Sequence, residues 1–295
     1  MDTVRETNDE QAELWNGAGG QGWLQAAELI DQVLRPIEGL LVEAAVAGSP
    51  AASASPRRVL DVGCGTGGVT RTLARTLGAG SHCVGADISE PMIAAARAQA
   101  EREGGQVSFL HADAQSHPFE PGGFDLIISR FGVMFFDDFG RAFGNLRRAA
   151  AEDAELRFVV WRGMAENPFM TTAERAAAPL LPELPARDPD APGQFALADA
   201  DRLRRLLAEG GWTGIDIQPA DVACALPERE LVRYLTLLGP VGRALQEADD
   251  QLRAKVIEAV RPAFDPFVHG TEVRFTAACW LVAARAAGAP AGTGV

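Results

Sequence analysis

Three carboxylates fall at the ends of three apolar runs in the first half of the chain. They are Asp61 in Val59-Leu60-Asp61-Val62, Asp87 closing Cys83-Val84-Gly85-Ala86-Asp87, and Asp113 just after Val107-Ser108-Phe109-Leu110-His111. Directly behind the first acid stand Gly63, Cys64, Gly65, Thr66, Gly67 and Gly68. An apolar run that breaks into alternating glycines reads as a strand, a tight loop and a helix, because glycine permits positive φ and lets a ligand lie against the main chain. The helix that follows points unpaired backbone N–H groups at the same ligand. Gly63, Gly65 and Gly68 also satisfy the G-x-G-x-x-G spacing of dinucleotide sites, and Asp87 suits a pair of ribose hydroxyls in either case. Asp61 separates the two readings. A pyrophosphate would meet a negative charge beside the loop, whereas a ligand carrying an ammonium would be attracted by it. Asp113 is suited to accept from an exocyclic amine. Together the three acids point to a positively charged nucleoside.

On these residues the chain resembles the class I S-adenosylmethionine-dependent methyltransferases, with Asp61 to Gly67 as the glycine loop, Asp87 as the ribose acid and Ala112-Asp113-Ala114 as the adenine turn. Similarity to the branch of quinone-biosynthesis C-methyltransferases (methyltransferase type 11-like) extends over three further stretches. These are Trp15 to Trp23, Phe124 to Phe136, and Val160 to Phe169. The resemblance implies a cofactor site of Asp61, Gly63, Cys64, Gly65, Thr66, Gly67, Asp87, Ile88, Met92, Asp113, Ala114, Ser129, Arg130 and Phe131. It places Trp15, Trp23, Phe135, Trp161, Asn167, Phe169 and Tyr234 around an acceptor. The implied fold is α/β, a Rossmann-like seven-stranded mostly parallel sheet with helices on both faces, N-terminal helices and a helical lid insertion, the last strand antiparallel. The implied reaction is methyl transfer from S-adenosyl-L-methionine, leaving S-adenosyl-L-homocysteine, to the oxygen, nitrogen or carbon of a small metabolite. One departure stands before the fifth strand, where Ala151-Glu152-Asp153-Ala154-Glu155 replaces the proline-glycine-glycine turn common in the family.

An acceptor hydroxyl or acidic carbon calls for a general base, and His111, His117 and His269 are the candidates, although position alone favours a surface or hydrogen-bonded histidine for each. Arg130 suits a carboxylate of cofactor or acceptor, or an ion pair at the strand end. Trp15, Phe131, Phe135 and Trp161 can face a methylated cation or pack as core. Two other readings stay open. The fold can hold S-adenosylmethionine as an effector or structural ligand of a regulator or cyclase. An NAD-dependent oxidoreductase is disfavoured by Asp61, by Asp113 and by the lack of a Tyr-Lys catalytic pair, Tyr234 being the single tyrosine.

The elements that must position these residues follow from periodicity. Helical spacing runs from Gln25 to Ala47, a small polar linker spans Gly48 to Pro56, and strands alternate with helices from there to Arg162. A helix is expected from Asp199 to Gly210, a strand from Thr213 to Gln218, helices at Arg229 to Leu238 and Gly242 to Val260, and a last strand from Val273 to Ala284. The division expected is a cap and linker at 1–56, a cofactor-binding core at 57–162, the rest of the sheet with lid insertions 163–198 and 219–270 within 163–286, and a disordered tail at 287–295. The lid residues Phe169, Phe195, Leu231, Leu235 and Leu238 suggest an apolar or aromatic acceptor. With 295 residues, 47% of them hydrophobic, the chain can bury one large core. A net charge of −13 opposes nucleic-acid backbones. The four cysteines form no C-x-x-C pair and suggest neither zinc nor disulfides. The chain opens without a basic segment and an apolar run behind it, and carries no stretch long enough to span a bilayer, so a cytoplasmic location without membrane insertion is expected.

Overall fold

Five short apolar runs form the parallel half of the sheet in a computed structural model, which describes residues 8–47, 56–184, 187–188 and 191–286. They are β1 (Arg58–Val62), β2 (His82–Asp87), β3 (Val107–His111), β4 (Phe124–Arg130) and β5 (Ala150–Trp161). The antiparallel strands β6 (Trp212–Pro227) and β8 (Glu272–Ala286) complete it, and the two-residue β7 (Val268–His269) pairs with β8. The order is β3-β2-β1-β4-β5-β8-β6. Connections run one way from β1 to β3 and the other way from β4 onward, so the strand tips part between β1 and β4, where sheets of this kind bind ligands. Val59, Leu60, Leu126, Ile127, Ile128, Leu156 and Phe158 are all fully buried. Such unbroken apolar strands need cover on both faces.

Helices supply that cover. Before β1 lie α1 (Asp9–Asn16), α2 (Ala18–Gln25) and α3 (Ala27–Ala47); α4 (Gly68–Leu77), α5 (Glu90–Glu103) and α6 (Phe139–Ala149) connect the parallel strands. Beyond β5 come α7 (Pro168–Ala177) and α8 (Ala200–Glu209), then α9 (Leu231–Leu237), α10 (Gly239–Gln246) and α11 (Asp250–Val260) between β6 and β7. The spacing that marked α3 puts Leu29, Ile30, Val33, Leu34, Ile37 and Leu41 on one buried face, packed on β4, β5 and β6. Aspartates set several helix starts. Asp138 accepts from Arg141 N at 2.9 Å, Asp199 from Asp201 N and Arg202 N, and Asp249 from Leu252 N at 2.7 Å.

The seven strands expected form the run β3-β2-β1-β4-β5-β8-β6, and the two-residue β7 adds beside β8. Three other expectations need correction. The segment Ala151 to Glu155 is not a turn: it belongs to β5, with Asp153 at φ 60° and a register shift against β4 between Phe124 and Leu126 absorbing the surplus length. The second insertion starts later than residue 219, because β6 stays paired with β8 from Trp212 to Pro227. The single helix expected from Gly242 to Val260 is two, α10 and α11, separated at Glu247 to Asp249. Within the insertion at 163–198, α7 is a regular helix. The linker at 48–55 and the tail at 287–295 lie outside the described residues.

Two loops that frame the crevice touch backbone to backbone. A Cβ on Gly132 would lie 2.4 Å from Val62 O and 2.7 Å from Gly63 Cα. Gly132→Ala is therefore expected to cost about 1–3 kcal/mol in urea unfolding. Gly144→Ala, in α6 where an added Cβ meets nothing within 4 Å, should gain about 0.5–1 kcal/mol. Equal effects of the two would contradict the close approach.

Candidate functional site

At the parted strand tips lies a cavity of about 500 Å³ that runs from the glycine loop to the helices beyond β5 and β6. Its first end is built by β1, β2 and β3. Gly63 and Gly65 hold φ of 66° and 55°, turning the main chain so that no side chain stands between loop and cavity. Asp87 ends β2 with Oδ2 accepting from Gly65 N at 2.8 Å and Oδ1 from Ser89 N at 2.9 Å. Burial pushes its pKa up, against the pull of those backbone donors and of His111. Asp113 caps its own turn, accepting from Gln115 N at 2.9 Å and Ser116 Oγ at 2.7 Å. Each of these oxygens keeps a further lone pair. Ile88, Met92, Ala114 and Phe131 fill the wall between them.

The N-terminal helices close the cavity from above. Trp15 meets Trp23 and Phe135 edge to face, with centroids 5.9 and 5.1 Å apart. Asn8 and Gln11 line the same wall, and their side-chain oxygens are buried without a hydrogen-bond partner among the described residues. Lone pairs on Asp87 and Asp113 and the orphan oxygens of Asn8 and Gln11 make an end rich in acceptors. Hydroxyls, an amine and an ammonium on one ligand match that set, so the residues present fit S-adenosylmethionine.

Further in, the wall becomes aromatic. Phe131 adopts φ 69°, a conformation that costs a non-glycine residue about 1–3 kcal/mol, and its ring stacks on Trp161 at 4.6 Å with 3° between planes. Phe169 stacks on Phe275 at 4.0 Å and lies 5.8 Å from Tyr234, whose hydroxyl is pushed well above its usual pKa by burial.

The structure brings together Gly63, Gly65, Asp87, Ile88, Met92, Asp113, Ala114, Arg130 and Phe131 of the expected cofactor set, and Trp15, Trp23, Phe135, Trp161, Phe169 and Tyr234 of the acceptor set. The others lie outside the cavity wall. Asp61 is buried beneath the loop, where its Oδ2 accepts from Thr70 Oγ1 at 2.6 Å. Cys64 is buried with its thiol pKa raised, the Thr66 carbonyl accepts from Arg71, and Gly67 caps α4 at φ 77°, where an added Cβ would strike the Phe109 ring at 2.5 Å. Ser129 donates to Val62 O and accepts from Val133 N, holding β4 to β1. Asn167 is a clip: it donates to Arg162 O, Gly163 O and Ala278 O and accepts from Ala278 N. The three candidate bases are not at the cavity either. His111 faces Ile88 O from an exposed position, His117 packs edge-on against Phe119, and His269 is exposed on β7. Arg130 reaches the wall but is paired with Asp31 at 3.7 Å and Glu38 at 3.5 Å on α3, so its charge is already compensated. Sequence reasoning missed Asn8, Gln11, Glu174, Arg187 and Arg243, polar wall residues supplied by α1, α7, α10 and the loop after α7. Their positions carry no local motif, and folding alone gathers them.

Two variants test this arrangement. Burial raises the Asp61 pKa from 3.8 to about 7. The native state then binds more protons than the unfolded chain across that interval, so stability falls as pH rises through it and levels off above. Asp61→Asn keeps the acceptor for Thr70 and removes the ionisation. Urea unfolding of this variant should show a flatter pH profile between about 4 and 7 and a gain of more than about 1 kcal/mol at pH 8. Curves parallel to the parent's would contradict the buried acid. Asp87→Ala should weaken adenosylhomocysteine binding in titration calorimetry by at least about tenfold, the loss of a charge-assisted pair of hydrogen bonds.

Residues 59–153 match the family model described as "Methyltransferase domain". A "Demethylmenaquinone methyltransferase" of Thermus thermophilus is 41% identical over 102 residues, 35% of this chain and 46% of that protein. A rice protein (Oryza sativa) described as "Probable tocopherol O-methyltransferase, chloroplastic" is 33% identical over 165 residues, 52% of this chain and 44% of its own length. The chain thus spans less than half the length of these two relatives. Among solved structures, the YcgJ protein of Bacillus superposes with a TM-score of 0.55 at 17% identity, over 85% of this chain and 98% of that one. The phosphoethanolamine N-methyltransferase 2 of Haemonchus contortus gives 0.51 at 17% identity, over 97% and 59%. Such identities speak for the fold, and the glycine loop and strand-end acids lie inside the matched segment or within its fold. Over residues 59–153 the chain is thus similar to methyltransferase domains.

Proposed function

We propose that the protein transfers a methyl group from S-adenosylmethionine to a small, largely apolar or aromatic metabolite. One observation carries the reading: a single continuous cavity joins the acceptor-rich end at Asp87 and Asp113 to the aromatic wall of Phe131, Trp161, Phe169 and Tyr234. When bound, the cofactor supplies an electrophilic methyl on a positively charged sulfur. The chain's part is to bind, align and keep water out. Asp87 and Asp113 would receive the ribose hydroxyls and the adenine amine, and Gly63 and Gly65 would let the ligand lie on the main chain. Trp15, Trp23 and Phe135 cover it. Alignment in a closed site is worth about 7–11 kcal/mol when the geometry is good, and this chemistry asks for no covalent catalyst from the protein.

The described wall holds no histidine. Tyr234 keeps its proton at neutral pH because burial raises its pKa, and can donate a hydrogen bond to the acceptor. Glu174 is engaged with Arg187. The arrangement therefore suits an acceptor that ionises by itself or attacks through a free lone pair, whether the atom is oxygen, nitrogen or carbon.

Incubation with methyl-labelled S-adenosylmethionine and metabolite extracts should give a labelled small product. Retained adenosylhomocysteine binding with no labelled product would make the protein a binder in place of an enzyme. His111→Ala, His117→Ala and His269→Ala should each keep transfer, whereas loss of a true general base costs about 10²–10⁴-fold.

A further inference from the structure

The polar groups that α7, α10 and the loop after α7 bring to the cavity wall are unevenly partnered. Arg187 is fully engaged. Its Nε and Nη2 donate to the two carboxylate oxygens of Glu174 at 2.8 and 2.5 Å, Nη2 reaches Gln194 Oε1 at 3.3 Å, and the guanidinium lies 5.0 Å over the Phe195 ring. Arg243, on α10, lines the same wall half-buried, and no hydrogen bond or ion pair joins its side chain to a described residue. The same wall carries Leu235, Leu238, Val241 and Phe264. Burial lowers the Arg243 pKa, the Arg187 charge adds to that, and Glu174 opposes it, so the group stands within the field of the neighbouring pair without being bonded to it. The last turn of α10 favours a cation electrostatically, yet leaves the guanidinium's donors unused.

A guanidinium keeps its charge at any physiological pH and offers a planar fork of donors that matches a carboxylate. A half-buried fork with no described partner is available to bond a ligand that enters the cavity. Taking the methyl-transfer reading as its basis, we infer that the acceptor carries one carboxylate group, which Arg243 receives while the aromatic and aliphatic wall holds the rest of the molecule. The charge count favours a single negative charge. Glu174 neutralises Arg187 and Arg130 is held by Asp31 and Glu38, which leaves Arg243 as the one guanidinium of the described wall to meet one negative charge on the ligand. The carboxylate is a recognition group and fixes the orientation of the acceptor in the cavity.

The test uses the full chain saturated with adenosylhomocysteine, with the aromatic anion 1-anilinonaphthalene-8-sulfonate as fluorescent reporter. Displacement by 4-phenylbutanoate, 4-phenylbutanamide and phenyl phosphate is compared in the parent, Arg243→Met and Arg243→Lys. The acid should displace the reporter at least about tenfold better than the amide in the parent, as expected for one charge-assisted pair. Arg243→Met should erase that preference with adenosylhomocysteine affinity unchanged, and Arg243→Lys should restore part of it, since an ammonium supplies the charge without the fork. Equal displacement by acid and amide, no displacement by either, tighter binding of phenyl phosphate, or an unaltered preference in Arg243→Met would overturn the inference. The parent's acid-to-amide ratio decides even if the methionine variant does not fold. Failure of the parent to bind adenosylhomocysteine would instead sink the cofactor reading on which the inference rests.

Discussion

The Asp87 carboxylate is the node from which the ligand face is hung. It holds Gly65 N with one oxygen and Ser89 N with the other, so the β1 and β2 loops cannot move independently. Ser89 in turn donates to Trp15 O at 2.7 Å, and Asn16 both donates to Ile88 O and accepts from Glu90 N. The N-terminal cover is thereby tied to the same strand end as the cofactor loop. Burying an acid this way opposes its ionisation, as its raised pKa shows, and the backbone donors offset part of that cost. The residue that would hold a ribose thus also sets the distance between floor and cover.

A second layer of charge lies under that floor. Asp61 takes the Thr70 hydroxyl, and Arg130 is shared between Asp31 and Glu38. These groups stitch β1, β4, α3 and α4 behind the crevice. Asp61 therefore lies beneath the loop and off the cavity wall, while Asp87 and Asp113 line it. The inner wall follows a different logic. It is aromatic and aliphatic with a few polar groups, and in such surroundings an unmatched donor or acceptor discriminates between ligands more strongly than added apolar area does.

Much of the cofactor end was legible because its signals are local. Three glycines after a β-branched run need a positive φ that neighbouring residues announce, and Asp87 and Asp113 stand where strands end. The α3 helix was equally legible from its apolar spacing. Other features depend on residues far apart in the chain. Asn167 reads as a plausible acceptor contact until Ala278, 111 positions away, is seen bonded to both ends of its amide. The three histidines were plausible bases by chemistry and sequence position, yet side-chain direction at a strand end or hairpin is set by packing. The length of β6 was hidden because alternating half-exposed residues on an edge strand resemble a loop in composition, and the bulge at Asp153 was hidden because no glycine marks its positive φ.

By itself the sequence determined the glycine loop, the order of strands and helices as far as β5, and the acids at the tips of β2 and β3, because each depends on dihedral preference or periodicity within a few residues. The tertiary structure alone decided that Asp61 lies under the floor, that Arg187 is paired with Glu174 and Arg243 with no described residue, and that α1 lays Asn8 and Gln11 over the cavity. Those outcomes turn on which surfaces meet when distant segments pack, and whether a charge ends up matched is a property of that meeting.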